Sequence, residues 1–270
     1  MAESRVVTFT TDFGLQDAFV GIMHGVVASV APEARTIDVC HAIPSYDVLE
    51  GAWTIAQAYR YFPARTVHVV VVDPGVGSSR RPILAETDEY IFVAPDNGVL
   101  SLVEAREPGF AVREITAERF FRQPVSQTFH GRDIFAPVAG WLAKGVAPAD
   151  FGPEITDYAR LQVPQVERTS DGLRGTVLKI DKFGNLITNV AEPDLRLVLT
   201  HEATIVITIG MRVIQGVCHS YSEGRDGELF GIIGSSGYLE IAARQDSAAK
   251  LSGVGVGEAV RVTLRAATGR

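Results

Sequence analysis

Thr66-Val67-His68-Val69-Val70-Val71-Val72-Asp73-Pro74-Gly75-Val76-Gly77-Ser78-Ser79-Arg80-Arg81 is the stretch that decides the fold. Its valine run, Val69 to Val72, stops at Asp73-Pro74-Gly75. A short, Val-rich apolar run ended by Pro and Gly reads as a buried strand of a parallel sheet. Asp73 then stands at the carboxyl end of that strand, where open α/β sheets bind ligands. The loop beyond it carries two glycines, two serines and two arginines in one short, bendable segment.

Upstream, Arg5 to Thr10 reads as a strand that delivers Asp12 to its own carboxyl end. Phe19, Ile22, Met23, Val26, Val27 and Val30 follow at helical spacing, with one buried face and Asp17 placed to cap the start. Thr36 to Val39 is a second strand. Asp47-Val48-Leu49-Glu50 has the form of a capping box, and Leu49, Ala52, Trp53 and Ala56 share a face of the helix behind it. The first 72 residues therefore read β-α-β-α-β, a parallel sheet with crossover helices.

Downstream the pattern changes. Ile83 to Glu86 and Tyr90 to Ala94 are short strands, and Pro95-Asp96-Asn97-Gly98 is turn chemistry. Thr128-Phe129-His130-Gly131-Arg132-Asp133 precedes an apolar helix through Phe135, Val138, Ala139 and Leu142. Arg160 to Gly172 is polar, carries Pro164 and reads as a linker. Beyond it come short strands with almost no helical periodicity: Thr176 to Ile180, Thr204 to Ile209, Leu229 to Ile233, Tyr238 to Ala242 and Val260 to Leu264. The expected architecture is α/β: an N-terminal α/β domain over 1–160 and an antiparallel barrel or sandwich over 173–270.

The chain has 270 residues, 46% of them hydrophobic, enough for a sizeable core. No apolar run approaches the roughly 20 residues of a membrane span. The net charge of −7 and the lack of a basic stripe speak against a nucleic-acid partner. Thr8 to Thr11 already read as structure, so no signal peptide is expected. With only two cysteines, Cys40 and Cys218, the expected home is the reducing cytoplasm.

Several motifs fail on inspection. Gly75-Val76-Gly77-Ser78-Ser79-Arg80 lacks the third glycine of a dinucleotide loop. No Gly-Lys-Ser/Thr marks a nucleotide phosphate loop, and Gly234-Ser235-Ser236-Gly237 lacks nucleophile-elbow spacing. The histidines show no metal-ligand spacing, so no metal is expected. What remains is Asp12, Asp73, Arg80 and His130 at strand ends and turns, able to converge in one cleft. Strand-end aspartates also cap and close turns. A helix-start histidine and paired surface arginines are equally ordinary, so spacing leaves both readings open.

Taken in order, Thr11-Asp12-Phe13-Gly14 with Asp17, Val72 to Gly77 with Arg80, Pro95 to Gly98, Thr128 to Asp133, Asp181-Lys182-Phe183-Gly184-Asn185 and Gly234 to Tyr238 resemble the S-adenosyl-L-methionine hydroxide adenosyltransferases. These are relatives of the fluorinase and chlorinase. The resemblance spans roughly Val6 to Val262. It implies an N-terminal domain with a central, mostly parallel sheet and a C-terminal β-barrel. It also implies a homotrimer whose sites are shared between subunits, and no cofactor besides the substrate.

The implied reaction is hydrolysis of S-adenosyl-L-methionine to adenosine and L-methionine. The implied catalytic set is Asp73, Arg80 and His130, with Arg81 the neighbouring alternative to Arg80. Either Asp73 or His130 would take the water proton. Substrate contacts carry over onto Asp12 for the ribose hydroxyls, Asn185 for the adenine edge, and Tyr46 and Phe129 as aromatic faces. Asp17, Asp181 and Ser235 would hold the amino-acid end, with Glu240 in the same region. The alternatives are a halide-dependent transferase and a non-catalytic sensor of the same ligand. The halide users resemble one another in carrying Tyr or a similar residue where Asp73 stands and Tyr where His130 stands. The fluorinase also has a long insertion after the position of Arg81, for which this chain has no room.

Overall fold

The computed structural model describes residues 6–198 and 203–266. The chain forms two compact units, Met1–Leu161 and Gln162–Arg270.

In the first unit, β1 (Val6–Thr11), α1 (Phe19–Val30), β2 (Arg35–Cys40), α2 (Val48–Ala58) and β3 (Val67–Val71) follow the expected alternation. Arg5, expected to open the first strand, lies outside the described residues. The unit continues with β4 (Pro82–Glu86), β5 (Ile91–Pro95), α3 (Ser101–Glu104), β6 (Ala111–Glu114), α4 (Ala136–Ala143) and β7 (Glu154–Ile155). The sheet order is β2-β1-β3-β5-β4-β6-β7. Strands β2, β1, β3 and β5 run parallel; β4, β6 and β7 complete the other side with antiparallel pairings.

The alternation of β3 explains its double burial. Val67, Val69 and Val71 pack with Met23 and Val27 of α1 and Val138, Ala139 and Leu142 of α4. Val70 points the other way, to Ile55 and Ala56 of α2 and Val103 of α3. From β1 the chain moves to β2 on one side and then returns to β3 on the other. The reversal falls between β1 and β3, which is where such sheets open a ligand crevice beyond their carboxyl ends. Thr11 and Val71 are register partners at that edge, so Asp12 and Asp73 leave the sheet side by side.

Two local expectations for α1 are corrected. Its buried residues are Val20, Met23 and Val27, while Phe19 and Ile22 are exposed. Asp17 does not cap it: the N-cap is Ala18, with no side-chain hydrogen bond. The capping reading of α2 is right at Asp47, whose side chain accepts from Glu50 N.

The second unit contains β8 (Glu167–Thr169), β9 (Gly172–Ile180), β10 (Leu186–Ala191), α5 (Glu192–Val198), β11 (Ala203–Ile209), β12 (Arg212–Gln215), β13 (Val217–Cys218), β14 (Leu229–Ile233), β15 (Tyr238–Ala243), α6 (Ala248–Ser252) and β16 (Ala259–Ala266). The strand path is β12-β11-β16-β9-β10-β15-β14-β13, antiparallel except for the short β13–β14 pair. Strand β9 serves two partners: Gly172–Thr176 pair with β16 and Val177–Ile180 with β10. That division turns the sheet around a shared interior of Leu173, Val177, Leu186, Ile207, Leu239 and Val260. The result is a nearly closed, barrel-like layer. The expected linker is not wholly unstructured, because β8 falls inside it and pairs with the start of β9. Among the described residues, no helix is long and apolar enough to cross a membrane.

Candidate functional site

The loop after β3 is shaped so that Arg80 folds back onto Asp73. Ser78 Oγ donates to Gly75 O at 2.6 Å and accepts from Arg80 N at 3.3 Å, tightening the turn. Gly77 has φ +77°, and a Cβ there would stand 2.3 Å from Gln127 O. Only glycine lets the loop pass that close to the segment leading to His130. Below it, Asn97 Nδ2 donates to Val72 O at 2.8 Å and fixes the carbonyl just before Asp73.

Arg80 then bridges the other two groups. Its Nε donates to Asp73 Oδ1 at 2.9 Å and Oδ2 at 3.0 Å, and Nη2 also donates to Oδ2. The same Nη2 lies 2.8 Å from His130 Nδ1. The guanidinium stacks 5.2 Å from the centre of the Phe135 ring. Only 9% of the Arg80 side chain and 5% of the Asp73 side chain remain exposed. Arg81 goes elsewhere, to Asp96 Oδ2 at 2.9 Å and Asp157 Oδ1 at 2.9 Å. Of the two arginines, therefore, Arg80 is the one joined to Asp73 and His130.

An arginine only donates, so His130 Nδ1 is an acceptor and the imidazole proton belongs on Nε2. Burial, and then the Arg80 charge, hold the His130 pKa below its ordinary value. The segment before His130 is anchored by buried Asp133, which accepts from Ser126 N at 2.9 Å and from Arg132 Nε and Nη2, both at 2.7 Å. Arg122 Nη1 adds a contact at 3.3 Å. Asp133 keeps a lowered pKa: these donors outweigh the opposing effect of burial.

Asp12 lies at the neighbouring strand end, where its Oδ2 accepts from Tyr46 N at 2.8 Å. Tyr46 has φ +70° and an exposed ring. Phe129 packs edge-on against Phe13 at 5.9 Å and Phe19 at 5.1 Å, forming an aromatic wall on the same unit. Asp17 is exposed in the turn before α1.

In the second unit, Asp181 organises the turn between β9 and β10. Its Oδ1 accepts from Phe183 N and Asn185 N, both at 2.9 Å, and its Oδ2 accepts from Asn185 Nδ2 at 2.9 Å. Asn185 is buried and thereby fixed in orientation. Glu240 is buried on β15 and accepts from Tyr221 OH at 2.9 Å. Burial raises the Glu240 pKa, and the nearby Asp181 charge adds to it. Tyr221 is pushed up to about 12 by burial and by its bond to Glu240. The Glu240 carboxyl lies against Gly234, where a Cβ would meet Oε1 at 1.8 Å. That contact seats the turn that presents the exposed Ser235.

Sequence reading did not single out Tyr221, Asn97 as a clamp, or Thr11, Asp38 and His41. The spacing Asp38-x-x-His41 at the end of β2 was the available signal. Among the described residues, no group of three or more His, Cys, Asp or Glu side chains is arranged to hold a metal ion.

Residues 7–152 match the SAM hydroxide adenosyltransferase N-terminal domain and residues 175–261 match its C-terminal domain. A (R)-S-adenosyl-L-methionine hydrolase of Salinispora tropica is 41% identical over 266 residues, 97% of this chain and 99% of that protein. A fluorinase of Nocardia brasiliensis is more distant, 26% identical over 96% of this chain and 97% of its own. A crystal structure of a Thermotoga maritima protein superposes with a TM-score of 0.89 at 33% identity, covering 95% of this chain and 99% of that one. With both family domains matched in order along one chain, the protein belongs to the SAM hydroxide adenosyltransferase family.

Proposed function

We propose that the protein hydrolyses S-adenosyl-L-methionine to adenosine and L-methionine. The observation that carries this reading is the buried Asp73–Arg80–His130 cluster beyond the carboxyl end of β3, beside the reversal of strand order between β1 and β3. Hydrolases at closer identity than the fluorinase support the same choice.

The chemistry is a displacement at the ribose 5′ carbon. The water oxygen forms the new C–O bond, and the C5′–S bond breaks with its electron pair going to sulfur. The sulfonium leaves as a neutral thioether, so neither an acid nor a metal is needed to help it go. The obstacle is the nucleophile, since water is weak and hydroxide scarce at neutral pH. The site must hold water in line with the breaking bond and take its proton.

Arg80 Nη1 is buried with no partner among the described residues, which leaves a donor for the attacking oxygen. His130, with Nδ1 engaged by Arg80, offers Nε2–H and orients the water rather than deprotonating it. Asp73 is then the proton acceptor. A carboxylate has about four lone-pair sites; Arg80 occupies two on Oδ2 and one on Oδ1, so one on Oδ1 remains. A negative carboxylate here attracts a water proton and repels a halide.

Asp12 would accept from the ribose hydroxyls, with Tyr46 and Phe129 flanking the nucleoside. Asn185, Asp181, Ser235 and Glu240 would supply the barrel side, and Asp17 would face the amino-acid end. The proposed assembly is a homotrimer with each site shared between subunits. It is supported by the exposed apolar side chains Leu15 (76%), Phe19 (42%) and Ile22 (39%) near α1. Both cysteines are free, in keeping with a cytoplasmic home.

The test is incubation with S-adenosyl-L-methionine in buffer and in halide, with and without chelator, followed by product identification. Adenosine and methionine under all conditions support the reading. A 5′-halo-adenosine as sole product points to the halide transferase, and no turnover points to a sensor. For the assembly, co-expressed Asp73→Ala and Asn185→Ala chains should recover activity in mixed trimers.

A further inference from the structure

The carboxyl end of β1 is tied to the segment after β2 by side chains with no part in the steps above. Buried Thr11 and His41 meet at 2.8 Å, Oγ1 to Nδ1. On its far side, His41 Nε2 stands 2.9 Å from Asp38 Oδ1 in a bent contact. With the Asp38 carboxylate beside Nε2, the imidazole proton is assigned to Nε2, which leaves Nδ1 to accept from the Thr11 hydroxyl. Thr11 Oγ1 in turn accepts from Phe13 N at 3.2 Å. Asp38 is itself held, because His24 Nε2 lies 2.8 Å from the same oxygen and His24 Nδ1 lies 2.7 Å from Thr36 Oγ1. His41 O also accepts from Gly14 N at 2.8 Å. Asp12 sits between these fixed points, and its own Oδ2 accepts from Tyr46 N.

We propose that His41 is a positioning residue that locks Thr11 and so sets the Asp12 carboxylate for two vicinal hydroxyls of the substrate. The proposal rests on the reading of Asp12 as the ribose-binding residue. Asp12 has one oxygen committed to Tyr46 N, so the angle of its other oxygen is what the clamp controls. The Thr11–His41 bond, next in sequence to Asp12, fixes the backbone from which that side chain departs.

The experiment compares calorimetric binding of adenosine and 2′,3′-dideoxyadenosine. The full-length protein should prefer adenosine, and Asp12→Asn should abolish that preference. If Asp12→Asn leaves the preference unchanged, the ribose reading itself fails and the proposal falls with it. If Asp12→Asn abolishes it, the His41 variants test the clamp alone. His41→Asn puts a carboxamide oxygen where Nδ1 stood and keeps the Thr11 bond. His41→Gln reaches Asp38 but not Thr11. The preference should fall about tenfold in His41→Gln, the worth of one hydrogen bond at a charged group, and stay near the parent value in His41→Asn. Thr11→Val, nearly isosteric, should repeat the loss and carries the test if His41→Gln does not fold. In turnover, KM for S-adenosyl-L-methionine should rise more than kcat falls. Equal loss in His41→Asn and His41→Gln, or a preserved preference in Thr11→Val, overturns the proposal.

Discussion

Arg80 Nη2 donates to His130 Nδ1 across 2.8 Å, joining residues 50 positions apart in the chain. A protonated His130 would turn an N–H toward that guanidinium and lose the contact. Acid therefore disrupts the cluster, and the lowered His130 pKa delays the disruption to below the ordinary 6.5. The midpoint of the histidine acid limb in kcat/KM should lie below pH 6.5. His130→Asn, which keeps an acceptor near the Nδ1 position, should remove that histidine limb from the profile. An acid limb centred at or above pH 6.5 would contradict the assignment.

Asp73→Asn should lose about 10²–10⁴-fold in kcat, as expected for a lost proton acceptor, and keep substrate binding. Asparagine is nearly isosteric with aspartate but takes no proton. Asp12→Asn should instead raise KM, because ribose contacts are made in the ground state as well as the transition state. Steady-state kinetics with a separate binding measurement distinguish the two. A normal kcat in Asp73→Asn would make Asp73 a binding residue.

The two adjacent arginines should separate cleanly. Arg80→Lys keeps the charge but loses the fork that holds Asp73 and His130, so kcat should fall about 10²-fold or more. Arg81→Ala leaves that cluster intact and removes the charged partner of Asp96 Oδ2, leaving Ala159 N on Oδ1; the Asp96 side chain is nearly buried. It should cost about 1–3 kcal/mol of stability with kcat within about threefold. Denaturant melts and initial rates on the two variants check this; the opposite pattern would exchange their roles.

How much of the fold and site is legible in the sequence depends on where the signal lies. β1, α1, β2, α2 and β3 are readable because their apolar residues recur at strand or helix period, and β1 and β3 run into Asp12 and Asp73-Pro74. Arg80 and Arg81 were not separable, because only the Gly77 turn against Gln127 decides which one folds back. Asp17 was misjudged as a cap because a suitable residue type stood one position too early. β8 went unseen because Glu167, Arg168 and Thr169 are all exposed and show no alternation. β10 was hidden by its buried polar residues. Asn189 there is satisfied by accepting from Thr176 N and donating to Pro164 O, pairings no local pattern announces. Thr11 and His41 were missed for the same reason, since their partnership spans 30 positions.

His68 should make the fold acid-sensitive. It is fully buried, bonds Thr8 Oγ1 at 2.7 Å through Nδ1, and burial lowers its pKa to about 3. Unfolded, it titrates at the ordinary 6.5. Between those values the unfolded chain binds one more proton, so this contribution is complete above pH 6.5 and is lost as pH falls toward 3. His68→Asn, which keeps a polar atom near Nδ1, should flatten the stability slope in that window by about 1.4 kcal/mol per pH unit, one proton's worth. Urea melts at a series of pH values measure it. An unchanged slope would show that His68 is not the group responsible.

The central claim is attack of water on the ribose 5′ carbon at the Asp73–Arg80–His130 cluster. The direct measurement is turnover of S-adenosyl-L-methionine in ¹⁸O-labelled water, followed by mass spectrometry of both products. The expected result is one ¹⁸O atom in adenosine, at the 5′ hydroxyl, and none in methionine, with the rate at which labelled adenosine forms sharply reduced in Asp73→Asn. Unlabelled adenosine, or label carried by the amino-acid product, would contradict it.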